Sequence, residues 1–180
     1  MKKFSIILIL LFVTILSYSQ NIMEYSKVIQ AEGISAVDLY SITKSWISLK
    51  FVRPKKVIQV EDPTKNYISC NASSIYSYGT LQALAYDGEV HYTIVIQSRD
   101  GRVRVEMTNL IHENLTTNNR NCNLGLLYNM DNQFTKGVYK SFNNKVAKDI
   151  KYKMLLLFDE ICDSLEDFVK NPESSHNEDW

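Results

Sequence analysis

Two alternating runs joined by Asp100-Gly101 constrain this chain more than any other feature of it. Val90, Tyr92, Ile94 and Ile96 alternate with His91, Thr93, Val95 and Gln97; after the turn, Val103, Val105 and Met107 alternate with Arg102, Arg104 and Glu106. A two-residue period sends successive side chains to opposite faces of a strand, and glycine accepts the positive φ of a tight turn, so the stretch predicts a β-hairpin with one apolar face. That face needs a cover, and the far end of the chain supplies one. From about Thr135 or Ser141 to Val169, the residues Phe142, Val146, Ile150, Met154, Leu157, Ile161, Leu165 and Phe168 recur every three or four positions. Such spacing predicts a long helix whose apolar stripe lies on a sheet.

The stretch before the hairpin reads as further strands and one more helix. Ile22 to Gln30 has close to a two-residue period and suits an opening strand. Ser35 can cap a helix, with Asp38 completing a capping box and Ile34 and Leu39 placed for a hydrophobic staple. Leu39, Ile42, Trp46 and Leu49 then mark a helix of roughly 15 residues to near Phe51, which Pro54 stops. Val57 to Glu61 and Tyr67 to about Tyr76 read as strands around a turn at Asp62–Asn66, and Gly79 to Gly88 as a looser stretch. The asparagine-rich His112–Asn123 reads as an exposed loop, and Leu124–Met130 as either a short strand or a packed loop. The order β-α-β-β-β-β-α predicts a single α+β domain over residues 20–170, a curved antiparallel sheet of about five strands with two helices on one face. Residues 171–180 are polar and are expected to form a disordered tail.

The first residues carry an address. Lys2 and Lys3 precede an apolar run, Phe4 to Leu16, that is shorter than the roughly 20 residues a membrane helix needs. Ser17 and Ser19 then place small residues where a signal peptidase reads, so residues 1–19 are expected to be removed between Ser19 and Gln20. The alternative is an uncleaved anchor. Cleavage implies a periplasmic or extracellular protein with no transmembrane anchor after processing. The chain has 20 basic and 20 acidic residues, and losing Lys2 and Lys3 leaves the mature protein at −2. Cys70, Cys122 and Cys162 are too few and too odd for a disulfide framework, and they read as small packed residues.

The opening YSKVIQAEGISAVDLY (Tyr25–Tyr40), Trp46, VIQVED (Val57–Asp62) and the hairpin YTIVIQSRDGRVRVEMTN (Tyr92–Asn109) together resemble a family of exported bacterial domains of unknown function described as having a TATA-binding-protein-like (TBP-like) fold. The likeness covers about Tyr25 to Leu110 and implies the fold without an activity. It does not imply DNA binding, because fold alone does not carry function. The chain is near neutral, with no basic stripe beyond Arg53, Lys55, Lys56 and the Arg102/Arg104 pair, so nucleic acid is not expected as a partner.

No residue pattern points to catalysis. His91, His112 and His176 share no metal-ligand spacing, and there is neither a nucleophile elbow nor a phosphate loop. No catalytic residue, metal or cofactor is expected. Tyr67, Tyr76, Tyr78, Tyr86 and Tyr92 either form a platform for a sugar or peptide or fill the core, the second being the commoner use of aromatic residues in strands. The candidate binding surface is Tyr76 and Tyr78 with Arg102 and Arg104. The reading that follows is a non-catalytic exported module binding a protein or glycan at the cell envelope. The alternative is a small-molecule carrier with a cavity between the sheet and the long helix. Lysines crowd the first half of that helix and acids the second, against the helix dipole, which raises the prospect of a weak homodimer.

Overall fold

A computed structural model describes residues 21–115 and 122–171 of the protein. The expected signal segment with its Ser19–Gln20 cleavage point, the middle of the asparagine-rich loop and residues 172–180 lie outside the described residues.

The chain order is β1 (Tyr25–Gln30), α1 (Ala36–Lys50), a short α2 (Pro54–Val57), β2 (Ile58–Asp62), β3 (Tyr67–Tyr76), β4 (Gly88–Arg99), β5 (Arg102–Asn114), β6 (Gly125–Leu126) and α3 (Lys140–Lys170). The strands form one antiparallel sheet in the order β1-β5-β4-β3-β2, with β6 beside the far end of β5. The central hairpin turns at Asp100-Gly101, where Gly101 has φ 72° and Arg99 pairs with Arg102. The sheet is open rather than closed into a barrel, as expected, with the short β6 and α2 added to the expected elements.

Alternation along β4 and β5 sends Val90, Tyr92, Ile94 and Ile96 together with Val103, Val105 and Met107 to one buried face. The period then slips. Between Thr108 and Ile111, β5 has two residues where β4 has only Tyr92, and Asn109 takes the left-handed conformation at φ 55°. This bulge turns Leu110 and His112 inward after the odd-numbered residues before them. The sequence-based loop at His112–Asn123 is therefore corrected at its start: His112–Asn114 continue β5, and His112 is fully buried.

Both long helices cover the buried face. Ser35 caps α1 by accepting from the Asp38 N–H at 3.2 Å, while its own hydroxyl donates to the Asp38 carboxylate at 2.7 Å, so Asp38 answers the hydroxyl rather than the backbone of Ser35. α1 buries Leu39, Tyr40, Thr43, Trp46 and Ile47. Leu49, expected on that stripe, is 65% exposed because it stands at the rim, where a shallow groove separates α1 from α3 beside Trp46 and Phe168. α3 buries Val146, Ala147, Ile150, Met154, Phe158, Ile161, Cys162, Leu165 and Val169. Trp46 Nε1 donates to Ser164 Oγ at 3.1 Å and ties the two helices together. No helix among the described residues is long and apolar enough to cross a membrane.

Candidate functional site

The face of the sheet away from the helices is left uncovered by the described residues. Side chains on it follow from register: Val28, Arg104, Gln97, Tyr67 and Asp62 form one rung across β1, β5, β4, β3 and β2, and Ser26, Glu106, Val95, Ser69 and Val60 form the next. Thr108, Thr93 and Asn71 follow, then Ile111, His91 and Ser73. Val28 and Val60 are about half exposed and Ile75 almost wholly so.

Charge on this face is sorted to its two ends. At the turn end Arg99 stands directly opposite Arg102, and both meet Arg104, Gln97 and Val28 around a notch of ≈ 190 Å³. Arg104 is paired with Glu106 at 2.7 Å; neither Arg99 nor Arg102 has a carboxylate within ion-pair range among the described residues. The acid on the same rung, Asp62, is occupied by its own turn. It accepts from the Thr64 hydroxyl and the N–H groups of Thr64 and Lys65 and pairs with Lys65 at 3.0 Å, and these bonds hold its carboxyl down at about 2. At the far end Glu89 stands directly opposite Glu113, with His91 Nε2 lying 3.9 and 3.7 Å from the two carboxylates. Like charges directly opposite each other on neighbouring strands weaken a sheet. His91 stands between the two glutamates, whereas no carboxylate among the described residues stands between Arg99 and Arg102. Along β4 the distance from Glu89 to Arg99 is roughly 33 Å at ~3.3 Å per residue.

The four residues of the sequence-derived surface do not share one face. Arg102 and Arg104 do, and register adds Arg99, which the sequence reading passed over. Tyr76 lies on the helix side: it is buried, its hydroxyl donates to Asp149 Oδ2 at 2.9 Å, and burial beside that carboxylate drives its pKa far up. Tyr78 packs half-buried on Phe142 with ring centroids 5.8 Å apart. Tyr86 and Tyr92 are also buried and Tyr67 alone of the five stands half-buried on the open face, so these tyrosines build no platform there. Their strand positions alone do not show this, because inward and outward are settled by register and by what lies on each face.

Chemistry elsewhere is sparse. Among the described residues no three His, Cys, Asp or Glu side chains are grouped as metal ligands would be. Each of the three thiols is buried and free, and burial pushes Cys70 up to about 11 and Cys162 to about 12. Between the sheet and α3, Val146, Ile150, Met154 and Phe158 occupy the interior, and a groove of ≈ 320 Å³ opens at the β3 edge beside Tyr76 and Lys153.

This open antiparallel sheet, with its helices on one face only, can be set beside known proteins. The family model described as a domain of unknown function (DUF4468) with TBP-like fold matches residues 25–113. Residues 25–113 of this chain resemble the DUF4468 family. The matched residues run from the start of β1 nearly to the end of β5, so they carry both charged ends of the open face. Two crystal structures resemble this fold. One is a DUF4468 family protein from Bacteroides ovatus, 18% identical, covering 80% of this chain and 86% of its own, with a TM-score of 0.51. The other is a TBP-like protein from Parabacteroides distasonis, 12% identical, covering 79% of this chain and 92% of its own, with a TM-score of 0.56. At these identities the likeness concerns the fold alone. Among curated proteins, none matches the chain.

Proposed function

We propose that this protein is an exported, non-catalytic module that holds a protein partner at the cell envelope across the open face of its sheet. The observation that supports this is the pair of like-charged rungs, Arg99 opposite Arg102 and Glu89 opposite Glu113, at the two ends of one uncovered face. A partner presenting an acid over the arginine notch and a base over the glutamates satisfies both ends at once. Complementary charge of this kind sets orientation and rejects wrong partners. A uniform polyanion does not fit, since the glutamate end repels whatever the arginine end attracts, and this weighs against nucleic acid and acidic glycans alike. The outer edge of β1, unpaired among the described residues, runs beside the notch, with Val28 on it, and offers backbone groups to an extended protein segment. The carrier reading has less support, because large side chains fill the space between sheet and helix.

The test uses the protein as bait in an envelope extract of its own organism, in three forms: unchanged, Arg99→Glu/Arg102→Glu, and Glu89→Lys/Glu113→Lys. One protein retained by the unchanged form, released by salt, and lost with either reversal is the expected result. Retention that ignores both reversals, or retention of nucleic acid or acidic glycan, overturns the reading. Export is checked by mass spectrometry of the secreted or periplasmic protein, which should begin at Gln20; a mature species retaining Phe4–Leu16 contradicts it.

A further inference from the structure

The solvent side of α3 is divided into three zones in sequence. Lys145 and Lys148 are exposed in its first half, Tyr152, Leu155 and Leu156 are 60%, 38% and 51% exposed in the middle, and Asp159, Glu160 and Asp163 are exposed in the second half. The positions Lys145, Lys148, Tyr152, Leu156, Asp159 and Asp163 follow one another at intervals of three or four, so they lie on one stripe, opposite the stripe that meets the sheet. Lys145, Lys148 and Asp159 form no ion pair among the described residues; Glu160 reaches Lys50 at 3.4 Å and Asp163 reaches Lys27 at 2.8 Å. The charge order runs against the helix dipole, which favours acids in the first turn and bases in the last. Neither the fold nor the helix accounts for three large apolar side chains set between opposite charges on a surface that faces water.

This sequence of basic, apolar and acidic zones is self-complementary when reversed. We propose that α3 pairs antiparallel with α3 of a second copy about a two-fold axis near Met154. Tyr152 then lies against Leu156 of the second copy, Lys148 against its Glu160 and Lys145 against its Asp163, and each contact occurs twice, as an isologous interface requires. Such a small apolar centre makes a weak, salt-sensitive dimer rather than an obligate one. Because α3 and the open face lie on opposite sides of the sheet, the dimer leaves both open faces outward and engages a paired partner bivalently.

The experiment is sedimentation velocity on the mature protein and two charge variants, Lys145→Glu/Lys148→Glu and Glu160→Lys/Asp163→Lys, each first shown by circular dichroism to melt as the unchanged protein does. All four positions are exposed, so folding is expected to survive. The unchanged protein should dimerise in low salt at concentrations on the order of tens of micromolar and dissociate in high salt. Each variant alone should be monomeric, and an equal mixture of the two should dimerise, because reversing opposite halves restores complementarity between them. A monomeric unchanged protein, a variant that still dimerises alone, or a mixture that stays monomeric overturns the proposal. None of these substitutions touches the open face, so loss of the dimer and loss of the envelope partner are separately readable.

Discussion

His112 shows how one side chain can fasten three segments that are distant in sequence. Its Nε2 lies 2.9 Å from the Tyr86 carbonyl and therefore donates to it, which leaves Nδ1 to accept the Leu124 N–H at 3.3 Å. The Tyr76 ring meets it edge-on with centroids 5.6 Å apart. Accepting the Leu124 N–H at Nδ1 requires the neutral ring, and burial lowers its pKa from the ordinary histidine value, a shift that the Tyr86 carbonyl and the nearby Glu113 carboxylate oppose only in part. The sign follows: below about 6.5 the unfolded chain takes up a proton that the folded one refuses, so this stability is complete above that pH and is lost as the pH falls through it. Denaturant midpoints at about pH 7.5 and about pH 5.5 should therefore fall more for the unchanged protein than for His112→Gln, even though the variant begins weaker. Parallel loss in the two proteins contradicts the assignment. Little of this was legible in the sequence. His112 sits in a polar run rich in asparagine, and only the bulge at Asn109 reverses which residues of β5 face inward.

At the level of elements, the hairpin, the capped α1 and the apolar stripe of α3 were open to sequence reading because each rests on a local period or a local turn residue. Errors came where a neighbour decides the outcome. Phe158 lies outside the stripe that spacing predicts yet is buried and stacks on Tyr25 with centroids 5.8 Å apart, whereas Leu49 falls on a predicted stripe and is exposed. Lys151 looks like a surface residue by its period. In the structure it is half-buried, its Nζ donates to the Met130 carbonyl at 2.7 Å and its own carbonyl accepts from the Tyr25 hydroxyl. A test of the stripe accordingly needs Lys148, which is exposed, as its control. Ile150→Asp places an unpaired carboxylate in the core at a cost of several kcal/mol and should abolish folding, whereas Lys148→Asp should shift stability by no more than about 1 kcal/mol. Soluble yield and thermal melts read both, and equal behaviour of the two variants would mean that α3 does not face the sheet as described.

For the molecule as a whole, stability rests on a packed interior rather than on cross-links. The free, buried thiols predict that a denaturant melt keeps its midpoint when reductant is added, where a bridge would contribute about 2–4 kcal/mol. A shift of that size would reveal a pairing under oxidising conditions. The sheet order sets a further condition on how the chain reaches this state. β1 is made first, yet its backbone partner is β5, and every strand between them pairs elsewhere. The closing contact joins distant parts of the chain, and such closures slow folding. An emerging chain therefore cannot complete its sheet until Arg102–Met107 is available, and α3, which covers β1, comes later still. Until then β1 has nothing to hold it. For the exported protein proposed above, that delay is an advantage, because the topology itself keeps the unfinished polypeptide loose until α3 has been made.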